Sequence, residues 1–274
     1  MSSPEQSPLG KSSAYIDTYD ASLLFPIPRK EKRDELGITS QLPFHGVDIW
    51  NAYELSWLNS KGKPVVALAE FFIPGDSPNL IESKSFKLYL NAFNQTKFKS
   101  VQDVQQLLEN DLSRAAGKAI RVTVVPIMQA GHSADIQTIE SECIDDLDVV
   151  IETYQADPTL LKADGEYCSE RLCSHLLKSN CLVTGQPDWG SVYIDYSGPK
   201  INRESLLKYL ISFRQHNEFH EQCVERIFVD LMANCGCQDL TVYARYVRRG
   251  GLDINPYRTN IPDQFPENIR LVRQ

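Results

Sequence analysis

What this sequence lacks narrows its reading quickly. No Gly-x-Gly and no Gly-x4-Gly-Lys-Ser/Thr occurs in the 274 residues, so neither a dinucleotide-binding fingerprint nor a Walker loop is present. No stretch approaches the roughly 18 consecutive apolar residues of a membrane span. The opening Met-Ser-Ser-Pro-Glu-Gln-Ser-Pro has no apolar core, so a signal peptide is not expected. Positive charge is scarce: 28 Lys and Arg stand against 36 Asp and Glu, a net charge of −8. That argues against a nucleic-acid partner, which needs a basic face. It leaves room for a local basic pocket around a phosphorylated cofactor. Cysteine numbers seven, odd and too sparse for a disulfide scaffold. Free thiols in a reducing cytoplasm are the expectation.

What is present reads as a globular chain, 42% hydrophobic and 23% charged. Residues 1–45 are rich in Ser, Pro and charge and read as an extended N-terminal arm with short local structure. A first module is expected over 46–150 and a second over 151–274. In the first, Tyr53–Asn59 alternates and meets a Ser-Lys-Gly-Lys turn, and Val65–Ile73 follows as a strand. Phe86, Tyr89, Leu90 and Phe93 then fall at helical spacing, as do Val101, Val104, Leu107, Leu108 and Leu112 over 101–116. Ile120–Pro126 reads as a strand. The second half repeats this order. Cys181–Thr184 and Ser191–Tyr196 form a hairpin candidate about Gly185-Gln-Pro. Helices are expected over 205–213 and 220–234, the latter stopped at Gly236, and Leu240–Val247 is read as the final strand. Tyr89-Leu-x-x-Phe-x-Gln95 matches Tyr209-Leu-x-x-Phe-x-Gln215 at a shift of 120 residues. A tandem α+β module with antiparallel sheets and helices on one face follows. An acidic stretch over 140–165 links the halves.

Few residues carry chemistry. Cys181 is the candidate nucleophile, because thiolate is the most nucleophilic side chain near neutral pH. Asp188, seven residues on, could protonate what it attacks. The bland alternative is a buried thiol beside a turn. In a regular hairpin about Gly185–Asp188, Cys181 lies three to four residues down its strand. At ~3.3 Å per residue that is roughly 10 Å from Asp188, so cooperation requires the loop to fold back. His216, His220, Cys223, Cys235 and Cys237 could be assembled into a zinc site, but their spacing is irregular and structural thiols are the better reading. His220-Glu221 opens a helix, where an acid suits the helix dipole or, with the imidazole, a pocket. Arg248-Arg249-Gly250-Gly251 suits a phosphate or a solvated turn. Lys84, between Ser83 and Ser85, suits a phosphate or a helix cap.

Together these residues resemble a known family. Glu82-Ser-Lys-Ser-Phe-Lys-Leu-Tyr is similar to the signature of the NADPH-dependent 7-cyano-7-deazaguanine reductases. Cys181-x6-Asp-Trp-Gly, His220-Glu221 and Arg248-Arg249-Gly250 follow in the order of the long, two-module members. The likeness runs from about residue 15 to the end. It implies tandem tunnelling-fold (T-fold) modules, with the site formed where modules meet, and a homodimer. It implies an enzyme of queuosine biosynthesis that uses two NADPH and no metal to reduce a nitrile to an amine, through a thioimide on Cys181. Asp188 and His220 would serve proton transfer. Ile81, Glu82, Ser83, His220 and Glu221 would bind the deazapurine. Ser83, Lys84, Arg249 and Gly250 would hold the cofactor. No cysteine precedes Cys143, so each chain should own one nucleophile. A zinc-dependent pterin-cyclohydrolase-like enzyme and a non-catalytic purine-binding protein are the alternatives.

Overall fold

The elements follow from hydrophobic period and from explicit start and stop signals. The computed structural model describes residues 15–39, 41–130 and 136–274. The chain divides into two units. The first comprises the described parts of Met1–Lys32, Asp48–Asp135 and Arg248–Asp253. The second comprises Arg33–Val47, Ile136–Val247 and Ile254–Gln274. In chain order, the first half contains β1 (Pro26–Pro28), α1 (Lys30–Glu35), β2 (His45–Leu58), β3 (Pro64–Pro74), β4 (Asn79–Ile81), α2 (Ser83–Asn91), α3 (Val101–Ala116) and β5 (Arg121–Pro126). The second half contains β6 (Glu142–Cys143), β7 (Ala163–Ser174), β8 (Lys178–Asn180), β9 (Pro187–Ile201), α4 (Arg203–Ser212), α5 (His220–Cys235), β10 (Asp239–Tyr246) and β11 (Leu252–Thr259). Among the described residues no helix is long and apolar enough to cross a membrane.

In the first unit β3 lies between β5 and β2, with β3 antiparallel to β5. β1 pairs antiparallel with β4, so that Pro26 lies opposite Ile81. The apolar stripe of α3 buries Val104, Leu108 and Leu112 completely. Each such burial is worth about 1.5–3 kcal/mol over leaving the side chain in water. Ser100 and Asp103 close a reciprocal capping box at the start of α3, and Gly117, left-handed at φ 75°, ends it. Phe86 of α2 sits edge-on to Trp50 and Phe71 at 5.3 and 5.0 Å.

In the second unit the strand order is β11-β10-β9-β7-β6, with β8 also on β9. β10 is antiparallel to β9 and β11, β7 is antiparallel to β9, and β6 runs parallel to β7. Strand side chains alternate between faces. Val192, Ile194 and Tyr196 of β9 accordingly join the core under α4 and α5, while Tyr193 faces the other way with Tyr243 and Tyr257. Glu225 of α5 is buried between two arginines. Arg33 Nη2 donates to it at 2.7 Å and Arg258 Nη2 at 2.8 Å.

The internal repeat holds in three dimensions. Tyr89 meets Phe93 edge-on at 5.2 Å, and Tyr209 meets Phe213 in the same way at 5.3 Å. Tyr89 donates to Asp111 of α3 at 2.9 Å, and Tyr209 donates to Asp230 of α5 at 2.6 Å. α3 and α5 each contain 16 residues and each stops at a left-handed glycine, Gly117 or Gly236.

Three sequence expectations need correction. β10 is not the last strand, because β11 follows it. β2 begins at His45, ahead of the alternation that starts near Tyr53. The hairpin around Cys181 is also different: its strands are β8 and β9, and Cys181 itself lies in the six-residue loop between them. β7 is a further strand that the sequence reading did not identify.

Candidate active site

The second unit gathers the thiol, the carboxylate and the imidazole. β8 pairs with β9 so that Ser179 lies opposite Asp188 and Asn180 opposite Pro187. The loop closes on Cys181: its N–H donates to Gln186 O at 2.9 Å, and Gly185 N–H donates to Cys181 O at 3.0 Å. Gly185 is left-handed at φ 65°, which glycine adopts without strain. Asp188 is therefore paired with the residue two before Cys181. A regular turn at Gly185–Asp188 would have set the two at opposite ends of a strand segment, so the turn is displaced from the position expected. Both residues are buried, Cys181 at 7% exposure and Asp188 at 4%.

α5 brings in the imidazole. His220 is its first residue, and Nε2 lies 3.3 Å from Asp188 Oδ2. The ring stacks on Tyr246 of β10, with centroids 3.9 Å apart and planes 6° from parallel. Nδ1 is buried with no hydrogen-bond partner. A buried polar atom without a partner is uncommon in native folds and marks a place for a ligand or water. The Tyr246 phenol is pushed well above its usual pKa by burial and by the nearby Cys223 and Asp188, so it stays protonated. Glu221 follows in the same first turn and is 3% exposed.

A second carboxylate steadies the Cys181 loop. Asn180 N–H donates to His216 O, and Glu218 N–H donates to Asn180 O. The buried Glu218 side chain is gripped by Arg226 at 2.8 and 3.0 Å and lies 3.0 Å from His216 Nε2. Burial alone would raise its pKa, but the bonds from His216 and Arg226 outweigh burial and hold it low. His216 and His220 thus face different carboxylates. They form no common ligand set with Cys223, Cys235 or Cys237 among the described residues. Burial pushes the Cys235 thiol up to about 12 and the Cys237 thiol up to about 11. Both are structural rather than reactive thiols.

The first unit holds the other expected residues. Ile81, 1% exposed, ends β4. Glu82 follows as the N-cap of α2, accepting from Lys84 N–H at 2.7 Å and Ser85 N–H at 2.8 Å. Burial raises its pKa, opposed by these two N–H bonds and by the charges of Lys87 and Lys84. The cap of α2 is thus Glu82, not a serine. Ser83 opens the helix half-buried, one residue before Lys84. Lys84 and Gly250 line one cavity of about 460 Å³, shared with Lys87, Asn91, Asn94 and Glu54. Gly250 and Gly251 are both left-handed, at φ 57° and 72°, and a Cβ on Gly251 would come 2.4 Å from the Glu54 carboxyl carbon. Arg249 precedes this turn, and its N–H donates to Leu252 O at 2.9 Å. Arg248 is exposed, 4.6 Å over the Tyr53 ring.

Comparison with known proteins places this arrangement. A family model described as the N-terminal part of the nitrile reductase, 7-cyano-7-deazaguanine reductase, matches residues 15–124. A second, described as QueF-like protein, matches 187–264. A relative from Cupriavidus necator, named NADPH-dependent 7-cyano-7-deazaguanine reductase, is 61% identical over 278 residues and covers all of both chains. Relatives of the same name from Ralstonia nicotianae and Chromobacterium violaceum are 59% and 58% identical. The first alignment covers 100% of both chains, the second 99% of this chain and 98% of the relative.

The chain belongs to the 7-cyano-7-deazaguanine reductase family.

Its α+β architecture is that of the family's tandem T-fold modules, and membership makes it an oxidoreductase. Against that background, three buried residues at or next to the candidate site escaped the sequence reading. Tyr246 sits in an ordinary strand pattern, and nothing local marks it as the surface on which His220 stacks. Glu218 is distinguished only by its later partners. Gln222, in the first turn of α5, is 3% exposed with both amide atoms lacking a hydrogen-bond partner. Its neighbours one turn on, Glu225 and Arg226, are polar as well, so no break in an apolar face marked it.

Proposed function

We propose that this protein catalyses the NADPH-dependent reduction of 7-cyano-7-deazaguanine to 7-aminomethyl-7-deazaguanine, a step of queuosine biosynthesis, through a covalent thioimide on Cys181. The observation that carries the proposal is the His220–Asp188 pair at the foot of the Cys181 loop. The nitrile carbon is electrophilic, and the Cys181 thiolate adds to it while the nitrile nitrogen takes a proton from the Asp188 carboxyl. A new C–S bond and a new N–H bond replace one C–N π bond, leaving the thioimide. His220 holds Asp188 and returns a proton to it for the next transfer. When bound, NADPH supplies hydride, twice for each nitrile because the conversion takes four electrons. Between the two reductions the carbon–sulfur bond breaks, the electron pair returns to Cys181, and the thiolate is free again.

Substrate recognition falls to carboxylates. Adjacent ring N–H and amino donors of the deazapurine suit a bidentate acceptor. Glu221 is the first candidate. Glu82, whose two oxygens already cap α2, has lone pairs left for a second contact. Ile81 supplies apolar wall beside Glu82. For the cofactor, the two lysines and the glycine turn of the 460 Å³ cavity fit a phosphate-bearing group. Ser83, Lys84, Arg249 and Gly250 are assigned to it. Family membership supports a homodimer working in the cytoplasm on a free deazapurine rather than on nucleic acid.

The test is to mix purified protein with 7-cyano-7-deazaguanine in the absence of NADPH and measure intact mass. A gain equal to the substrate, absent in Cys181→Ala, is expected. NADPH oxidation by Cys181→Ala in the presence of the nitrile would overturn the mechanism.

A further inference from the structure

Away from Cys181, two more thiols and an imidazole meet on one face of the second unit's sheet. β6 runs parallel to β7 with Cys143 directly opposite Cys173. Side chains repeat along a strand every two residues. His175, two residues beyond Cys173 and one past the end of β7, falls on the same side. One ligand atom from each of the three, two sulfurs and a ring nitrogen, lies within 4.8 Å of the others. Among the described residues no other group of three His, Cys, Asp or Glu side chains is so placed.

We propose that Cys143, Cys173 and His175 form a binding site for a soft divalent cation, zinc being the best match. Two thiolates and an imidazole are the donors zinc prefers, and three protein ligands leave one position of its tetrahedron open. All three residues line a cavity of about 640 Å³. The open position therefore has room for water or a small anion.

The surrounding groups are arranged as an outer shell for such an ion. His175 Nδ1 lies 2.8 Å from Ser191 Oγ, which accepts from Arg273 Nη2 at 3.1 Å. The His175 backbone N–H donates to Asp145 Oδ2 at 2.8 Å, and Ser174 Oγ donates to Asp145 Oδ1 at 2.6 Å. The Asp145 backbone N–H in turn donates to the Cys143 sulfur. Partners of this kind fix ligand orientation and tune affinity. Zinc binding displaces the two thiol protons, which pass to solvent. The ion would clip β6, a strand of two exposed residues, onto β7. None of the three ligands belongs to the reacting group assigned above, so nitrile turnover does not depend on the ion.

The experiment titrates the reduced, metal-stripped full chain with zinc alone by calorimetry, and with cobalt(II) to read thiolate-to-metal charge transfer. One ion per chain and a charge-transfer band are expected, along with a higher thermal midpoint when zinc is present. All three persist in Cys181→Ala, which separates this site from the nucleophile. Cys143→Ser and His175→Ala replace exposed residues, and circular dichroism checks that they fold. Each weakens zinc binding by about tenfold or more. The proposal is overturned if the wild-type chain takes up no stoichiometric zinc, or if those two variants bind it unchanged. It is equally overturned if, with dissolved oxygen as oxidant, the zinc-supplied protein forms a Cys143–Cys173 disulfide, two hydrogens lighter, in place of taking up metal.

Discussion

α3 and α5 are the same helix made twice, and they differ at one end. Both contain 16 residues, both stop at a left-handed glycine, and both carry an aspartate that receives a tyrosine hydroxyl from the preceding helix. α3 opens on a complete capping box, Ser100 with Asp103. α5 opens after Phe219 with no side-chain cap, and its first turn carries His220, Glu221 and Gln222. The first helix start is finished for stability, and in the proposed reaction the second is given to chemistry. α5 is held instead by contacts distant in sequence, chiefly Glu225 between Arg33 and Arg258. A cap is local and modest in strength. A buried ion network is long-range and unforgiving, since removing one member strands the others.

The largest expected effect breaks the chemical side of this comparison. Asp188→Asn or His220→Ala is expected to lower kcat by about 10²–10⁴-fold, the usual worth of a positioned proton donor, with little change in thermal midpoint. A loss below tenfold would remove the pair from the mechanism. The next breaks the long-range anchor: Glu225→Gln leaves two buried guanidinium groups without their carboxylate and should cost about 3–5 kcal/mol in denaturant unfolding. A cost under about 1 kcal/mol, the size of an exposed pair, would show that α5 is held by its apolar face alone. The smallest effect sharpens the contrast. Ser100→Ala should cost α3 only about 1 kcal/mol and leave turnover untouched, because that helix start carries no reacting group.

The parts legible in the sequence were those where one physical signal acted alone. Val101–Ala116 follows its apolar period from end to end, and Gly236 marked the stop of α5 by its freedom at positive φ. β11 was hidden for the opposite reason. All eight residues from Leu252 to Thr259 are buried, so there is no alternation to read, and Asp253, Asn255 and Pro256 are poor strand formers. Partners far along the chain make their burial tolerable. Asp253 accepts from Asn51 and Tyr53, Asn255 accepts from Gln274, and Arg258 pairs with Glu225. The site divided in the same way. Local spacing raised Cys181 and Asp188 only as candidates, and the family resemblance singled them out together with His220. The turn beside Cys181 was assigned to Gly185–Asp188, because local turn chemistry does not reveal that Asp188 already belongs to β9. Tyr246 and Gln222 are distinguished only by burial and orientation, which no local pattern encodes.

The short loop from Cys181 to Gln186 has a mechanical consequence. The Cys181 main chain is tied at both its N–H and its C=O, so the peptide frame acts as a fixed pivot. In the proposed reaction the carbon turns from linear to planar as sulfur adds, becomes tetrahedral after the first reduction, and leaves sulfur as it turns planar again, while the ring stays docked. With the pivot fixed, rotation about the two side-chain bonds, Cα–Cβ and Cβ–Sγ, carries the sulfur through that change. A tether with two hinges lets the reacting carbon turn through its successive geometries without releasing the purine or dragging β8 along.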